Sequence, residues 1–114
     1  MKIEQRRQDQ VTILAPNGRI DTTTSATVDE AVKAAVDAGA RILVIDFSGV
    51  DYISSAGLRV FLVLAKRMRD LGGRLVLCGL GQPVRQVFQL AGFLPLFTIA
   101  ASLESALVLC GTPR

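Results

Sequence analysis

Two short stretches limit the fold more than anything else in the chain. Ile42-Leu-Val-Ile45 and Leu75-Val-Leu-Cys78 are apolar at every position, with no polar residue between. A strand with one wet face alternates apolar and polar residues. A run that is apolar throughout must be buried on both faces, as in a sheet covered by helices. The segment between the two runs, roughly Ala56 to Leu71, reads as a long helix that Gly72-Gly73 stops. Strand, helix, strand in that order implies parallel neighbours joined by a right-handed crossover.

The rest of the chain fits the same frame. Val11 to Ala15 favours a strand, and Met1 to Arg7 reads as its partner. Asn17-Gly18 marks a turn. Asp21 and the run Thr22-Thr23-Thr24-Ser25 supply helix caps, and Val28, Ala31, Val32, Ala35 and Val36 follow at helical spacing up to Gly39. Ser48-Gly49-Val50-Asp51 reads as a loop, and Gly79-Leu-Gly81 as a tight strand-to-helix turn. Pro83 suits the first helical position, with Val84, Val87, Phe88 and Ala91 on the inner face. Leu96 to Ile99 reads as a short strand. Ser102 caps a last helix that carries Leu103, Ala106, Leu107 and Cys110 inward, and Gly111 to Arg114 are expected to fray. The expectation is one α/β domain over residues 1–114, a mixed β-sheet of four to five strands flanked by about four helices.

Charge and composition narrow the function. The 13 basic residues against 10 acidic ones leave +3, and the basic residues are scattered, with no run of about five that would mark a nucleic-acid patch. Aromatics are 5%, too few to stack successive bases. No stretch approaches the roughly 18 apolar residues of a membrane span, and the N-terminus lacks the apolar centre of a signal peptide. No direct nucleic-acid partner and no membrane insertion are expected. Cys78 and Cys110 form no metal spacing and no disulfide framework, which reads as a reduced, cytoplasmic protein. There is no histidine, the commonest general base and neutral metal ligand. No cofactor and no enzymatic activity are expected.

The polar residues crowd into one segment. Asp46, Ser48, Asp51, Tyr52, Ser54 and Ser55 lie between the end of a buried strand and the start of the long helix, where open α/β sheets meet ligands and partners. Two readings stand side by side. Ser54 or Ser55 caps the helix, a role worth about 1 kcal/mol, and Asp46 ends its strand. Alternatively, a serine there is modified: a phosphoserine at a helix N-terminus places about −1.5 to −2 charges where backbone N–H groups and the dipole accept them. A site for acid–base chemistry built from Asp21, Asp46, Asp51, Tyr52 and Ser55 lacks histidine, metal spacing and a phosphate loop.

The segment Asp46-Phe-Ser-Gly-Val-Asp-Tyr-Ile-Ser-Ser-Ala-Gly57-Leu resembles the signature of the STAS domain, the family of anti-sigma factor antagonists. Gly18-Arg-Ile-Asp21 resembles the family's early turn. Gly72-Gly-Arg-Leu-Val-Leu-Cys78, Pro83-Val-Arg-Gln-Val-Phe88 and Ala91-Gly92-Phe93 resemble its later strand, helix and exit. The resemblance implies phosphorylation at Ser55, two residues before the motif glycine, with Ser54 a competing position. Ser54 stands where sporulation-type members often carry Asp, and Ala56 where Ser or Thr is frequent. It also implies a partner: an anti-sigma factor that is a serine kinase of the ATP-binding histidine-kinase-like fold, with a serine phosphatase reversing its action. Asp21 maps to the family's aspartate beside the phosphosite, a role compatible with helix capping.

The long helix adds a surface. Gly57, Val60, Phe61, Leu64, Met68 and Leu71 fall on one face, and Leu58, Leu62 and Ala65 form a second apolar stripe beside it. The second stripe is either covered by a neighbouring helix or partly exposed next to Ser55. The expected partner surface is Asp21, Ser54, Ser55, Ala56, Gly57, Leu58 and Leu62. The alternative implied by the resemblance is an accessory subunit of a membrane lipid transporter, in which Ser55 is an unmodified interface residue.

Overall fold

The computed structural model describes residues 1–111. The expected fraying of Gly111 to Arg114 falls almost wholly on residues 112–114, outside the described residues. Strands β1 (Lys2–Gln8) and β2 (Val11–Ile20) form an antiparallel hairpin, and β3 (Ile42–Asp46), β4 (Val50–Ile53), β5 (Arg74–Cys78) and β6 (Thr98–Ala100) run parallel to their neighbours. The order is β1-β2-β3-β5-β6, with β4 on β2. The helices are α1 (Ser25–Asp37), α2 (Ser55–Asp70), α3 (Gln82–Leu90) and α4 (Leu103–Leu109), with one 3-10 turn at Leu94–Leu96.

The expected α/β class holds, with the mixed sheet enlarged to six strands. The added strand is β4, in the segment read as loop. Its burial alternates, with Val50 and Ile53 inside and Asp51 and Tyr52 outside. It exists because β2 does not turn at Asn17-Gly18. Gly18 adopts φ +103°, the pairing register shifts there, and the strand continues to Ile20. The first half of β2 thus pairs with β3 and its last residues with β4.

The two apolar runs are covered on both faces. Leu43, Ile45 and Leu77 join Val28, Val32, Phe61, Leu64 and Phe88 in the main core, under α1, α2 and α3. Val44, Val76 and Cys78 face the other way and meet Ala106 of α4. Phe47 sits between Phe61 and Phe88, ring centroids 5.1 and 6.0 Å away. Of the inner face expected for α4 only Ala106 is fully buried, so this helix is the thinner cover. Ser102 caps it in a reciprocal pair with Ser105. In α3, Val84 and Phe88 are buried while Ala91 is exposed beyond the helix end.

The long helix departs from its expected face in three places. Leu58 is buried, Val60 is only half-buried and Leu71 is exposed, so the inner arc is Gly57, Leu58, Phe61, Leu64 and Met68. Leu71 is the C-cap at the end of α2, immediately before Gly72 at φ +70° turns the chain away. Leu96 likewise lies in the 3-10 turn, and the strand begins only at Thr98.

Candidate functional site

The carboxyl ends of β2 and β4 converge on the start of α2. The N–H of Ser54 donates to the carbonyl of Ile20 at 2.8 Å. Gly57 then packs directly on the two strand ends: a Cβ there would stand 2.7 Å from Ile20 Cγ2 and 2.9 Å from Ile53 Cγ1. Any larger residue would lift the helix, so the glycine fixes where α2 begins. Leu58 continues inward, 3% exposed. It is a core residue and is removed from the expected partner surface, as is buried Gly57.

The two serines separate cleanly. Ser54 is the N-cap in extended backbone, and its Oγ accepts the N–H of Gly57 at 3.2 Å. Ser55 is the first helical residue and is exposed. The helix start therefore holds one hydroxyl used for capping and one that faces solvent. The N–H groups of Ser55 and Ala56 precede the helical ladder, in the positive end of the helix field.

Asp21 follows Ile20, next to the bond that ties Ser54 to β2. Its Oδ1 accepts the N–H groups of Thr23 and Thr24 at 3.0 and 3.1 Å. The bond from the Thr24 N–H, opposed next by desolvation and reinforced by the bonds from Thr23, holds its carboxyl below the usual 3.8. Thr24 is the N-cap of α1 by position, but its hydroxyl makes no cap bond. It accepts the N–H of Asp21 at 2.9 Å and donates to the Arg19 carbonyl at 2.7 Å. Asp21 therefore organises the turn into α1 and keeps a half-exposed, ionised carboxylate on the rim.

Arg19 was not among the residues expected from the sequence. Its guanidinium lies 4.2 Å above the Tyr52 ring and its Nε 4.0 Å from Asp21 Oδ2. The signal lay in Gly18-Arg-Ile-Asp21, since residues two apart on a strand share a face. Val63, 54% exposed on α2, was also missed. It borders a groove against α1 lined by Val60, Lys33 and Arg67. Leu62 is half-buried on the opposite flank, near Leu75 and Phe97.

Asp46 plays a structural part: its Oδ1 accepts the N–H of Ser48 at 3.0 Å and closes the turn after β3. Among the described residues, no hydrogen bond joins the side chains of Asp21, Asp46, Asp51, Tyr52 and Ser55. Among the same residues, no cluster of His, Cys, Asp or Glu could hold a metal ion, and no helix is long and apolar enough to cross a membrane. Burial first, then Asp46 and Cys110 nearby, push the Cys78 thiol up to about 12.

Comparison with known proteins supplies a family for this geometry. The family model described as STAS domain matches residues 2–106. BtrV of Bordetella bronchiseptica, provisionally named an anti-sigma factor antagonist, is 42% identical over 93% of this chain and 91% of its own length. The anti-sigma-B factor antagonist of Listeria monocytogenes is 33% identical over 81% of this chain and 80% of its own. Among solved structures, the unphosphorylated anti-sigma factor antagonist SpoIIAA superposes with a TM-score of 0.81 at 19% identity, covering 99% of this chain and 100% of that one. Its phosphorylated form, from Bacillus, gives 0.73 at 19% identity, with coverage of 96% and 99%.

Proposed function

This chain belongs to the STAS domain family, and we propose that it acts as an anti-sigma factor antagonist switched by phosphorylation of Ser55. In this reading the unmodified chain binds an anti-sigma factor that is also a serine kinase, in the cytoplasm. Asp21, Ser54, Ser55, Ala56 and the outer face of α2 meet that partner, and a serine phosphatase restores the bound state. The role is binding and release, with no chemistry carried out by the chain itself.

The observation that carries the site is the division of labour between the two serines. Ser54 has its oxygen engaged with the Gly57 N–H, while Ser55 is exposed one residue later. A kinase can reach Ser55 without unwinding the helix. The helix start accepts added negative charge, so the effect of phosphate falls on whatever docks above. Desolvating a dianion against a surface shaped for a neutral hydroxyl is costly. A loss of ~3–4 kcal/mol weakens binding several-hundred-fold, enough for a switch. Because Leu58 is core, the apolar part of the docking surface falls to Val60, Val63 and Leu62.

The test is site mapping. The chain is incubated with the serine-kinase anti-sigma factor of its own organism and Mg-ATP, and modified peptides are sequenced by mass spectrometry. One phosphoryl group on Ser55 is expected, absent from Ser55→Ala and retained in Ser54→Ala. Phosphate on Ser54 alone would overturn the site. Stable association with a transporter subunit and no modification under any condition would favour the accessory role instead.

A further inference from the structure

The end of the sheet remote from Ser55 carries a cleft that the switch does not use. It opens between the β1–β2 hairpin and the last turn of α1, beside the first residues of β3, with a volume of about 530 Å³. Two guanidiniums stand at it. Arg7 is the cross-strand partner of Thr12, so the two side chains share a face. Arg41 is held at the opposite wall, its Nη1 donating to the carbonyls of Ala40 at 2.9 Å and Val36 at 3.3 Å. That bond offsets the negative end of α1 and leaves the other guanidinium nitrogens free for a ligand.

Thr12 is the informative residue. It is 4% exposed and is the sole buried polar side chain among the described residues. Thr12 is among the residues lining this cleft, and no hydrogen bond from the described residues reaches its hydroxyl. Buried hydroxyls are almost always paired, so an unpaired one facing a cleft marks a place for an outside partner. Gln5 and Gln10 line the same cleft, and Ala35, Ala38, Ala40 and Ile42 are its apolar lining residues. Among the described lining residues there is no acidic side chain and no aromatic ring. The first favours an anion. The second leaves nothing for a nucleobase to stack on.

We propose that this cleft binds a small organic oxyanion, a phosphate or carboxylate on a short aliphatic or polyol body, through Arg7, Arg41 and Thr12. The guanidiniums pair the anion, the Thr12 hydroxyl completes its hydrogen bonding, and the glutamines meet hydroxyls of the body. The site is independent of Ser55, which follows the opposite ends of the strands.

The proposal is tested by NMR titration of the full chain with sn-glycerol 3-phosphate and, separately, with succinate. Saturable shifts are expected at the amides of Thr12, Gly39, Arg41 and Ile42, and none around Ser55. The probe that saturates identifies the anion as phosphate or carboxylate. Thr12→Val, which keeps shape and removes only the hydroxyl, and Arg7→Gln should each weaken binding by about tenfold or more. Lys66→Gln, in a different groove, should leave it unchanged. Unsaturated shifts scattered over Arg6, Arg59 and Arg69, or equal binding by Thr12→Val and Arg7→Gln, would overturn the site, as would no response to either probe. Circular dichroism confirms that each variant is folded before its affinity is read.

Discussion

The first turn of α2 has an inner side and an outer side, and they do opposite work. On the inner side Gly57 and Leu58 lock the helix against Ile20, Ile53 and the core, with no room for a single added carbon at Gly57. On the outer side, Ser55 faces solvent and Asp21 keeps a half-exposed carboxylate. Only Ala56 lies between the glycine that fixes the helix and the exposed hydroxyl of Ser55, the proposed site of modification. The contrast teaches how a modification could change binding without changing the fold: charge added at Ser55 would fall on a rim whose position is set by an anchor it does not touch.

The contrast breaks most visibly on the inner side. Leu58→Glu would bury a carboxylate among apolar side chains and should cost about 4 kcal/mol or more. Thermal denaturation is expected to find it unfolded or nearly so. A folded Leu58→Glu that merely lost its partner would return Leu58 to the docking surface. Gly57→Ala should cost about 1–3 kcal/mol by overpacking on Ile20 and Ile53, read as a lowered urea midpoint. A neutral effect would mean that α2 is not seated by that contact.

The outer side sharpens it with smaller effects. Ser54→Ala removes a cap and should cost about 1 kcal/mol, while Ser55→Ala should stay within about 0.5 kcal/mol of the parent. Equal losses by chemical denaturation would erase the distinction between the serines. Smallest is the acid limb of Asp21. Its carboxyl is held below 3.8 in the folded chain, by Thr24 first. Its contribution to stability is therefore present above 3.8 and is lost as pH falls through the folded value. Amide shifts of Thr23 and Thr24 should follow that titration. A midpoint at or above 3.8 would mean that the two N–H bonds do not hold in solution.

How much of this could be read from residues alone follows from where the signal is local. The paired apolar runs announce a covered sheet because burial on both faces leaves a mark in every residue. The hairpin of β1 and β2, the length of α2 and the Ser102 cap are local as well. β4 is not. Ser48-Gly49-Val50-Asp51 has turn chemistry, and its strand pairing depends on β2 continuing past Gly18, a partner some thirty residues earlier. Leu58 was ambiguous for the same kind of reason. The apolar arc of α2 is wide, and helical spacing cannot say which edge of that arc a neighbour covers. Serine beside serine showed that a cap and a free hydroxyl were both available, but only the backbone at Ser54 assigns them. The cleft at Thr12 left no trace in the sequence, since it needs Arg7, Arg41 and the end of α1 brought together.

The most direct measurement compares the affinity of the kinase anti-sigma factor for the unmodified chain with that for chain carrying one phosphoryl group on Ser55, by calorimetry, with the fold of both checked by NMR. Unchanged core resonances and a several-hundred-fold weaker affinity are expected on phosphorylation. Equal affinities, or loss of binding accompanied by loss of the Gly57 and Leu58 packing, would contradict a switch that acts on the rim alone.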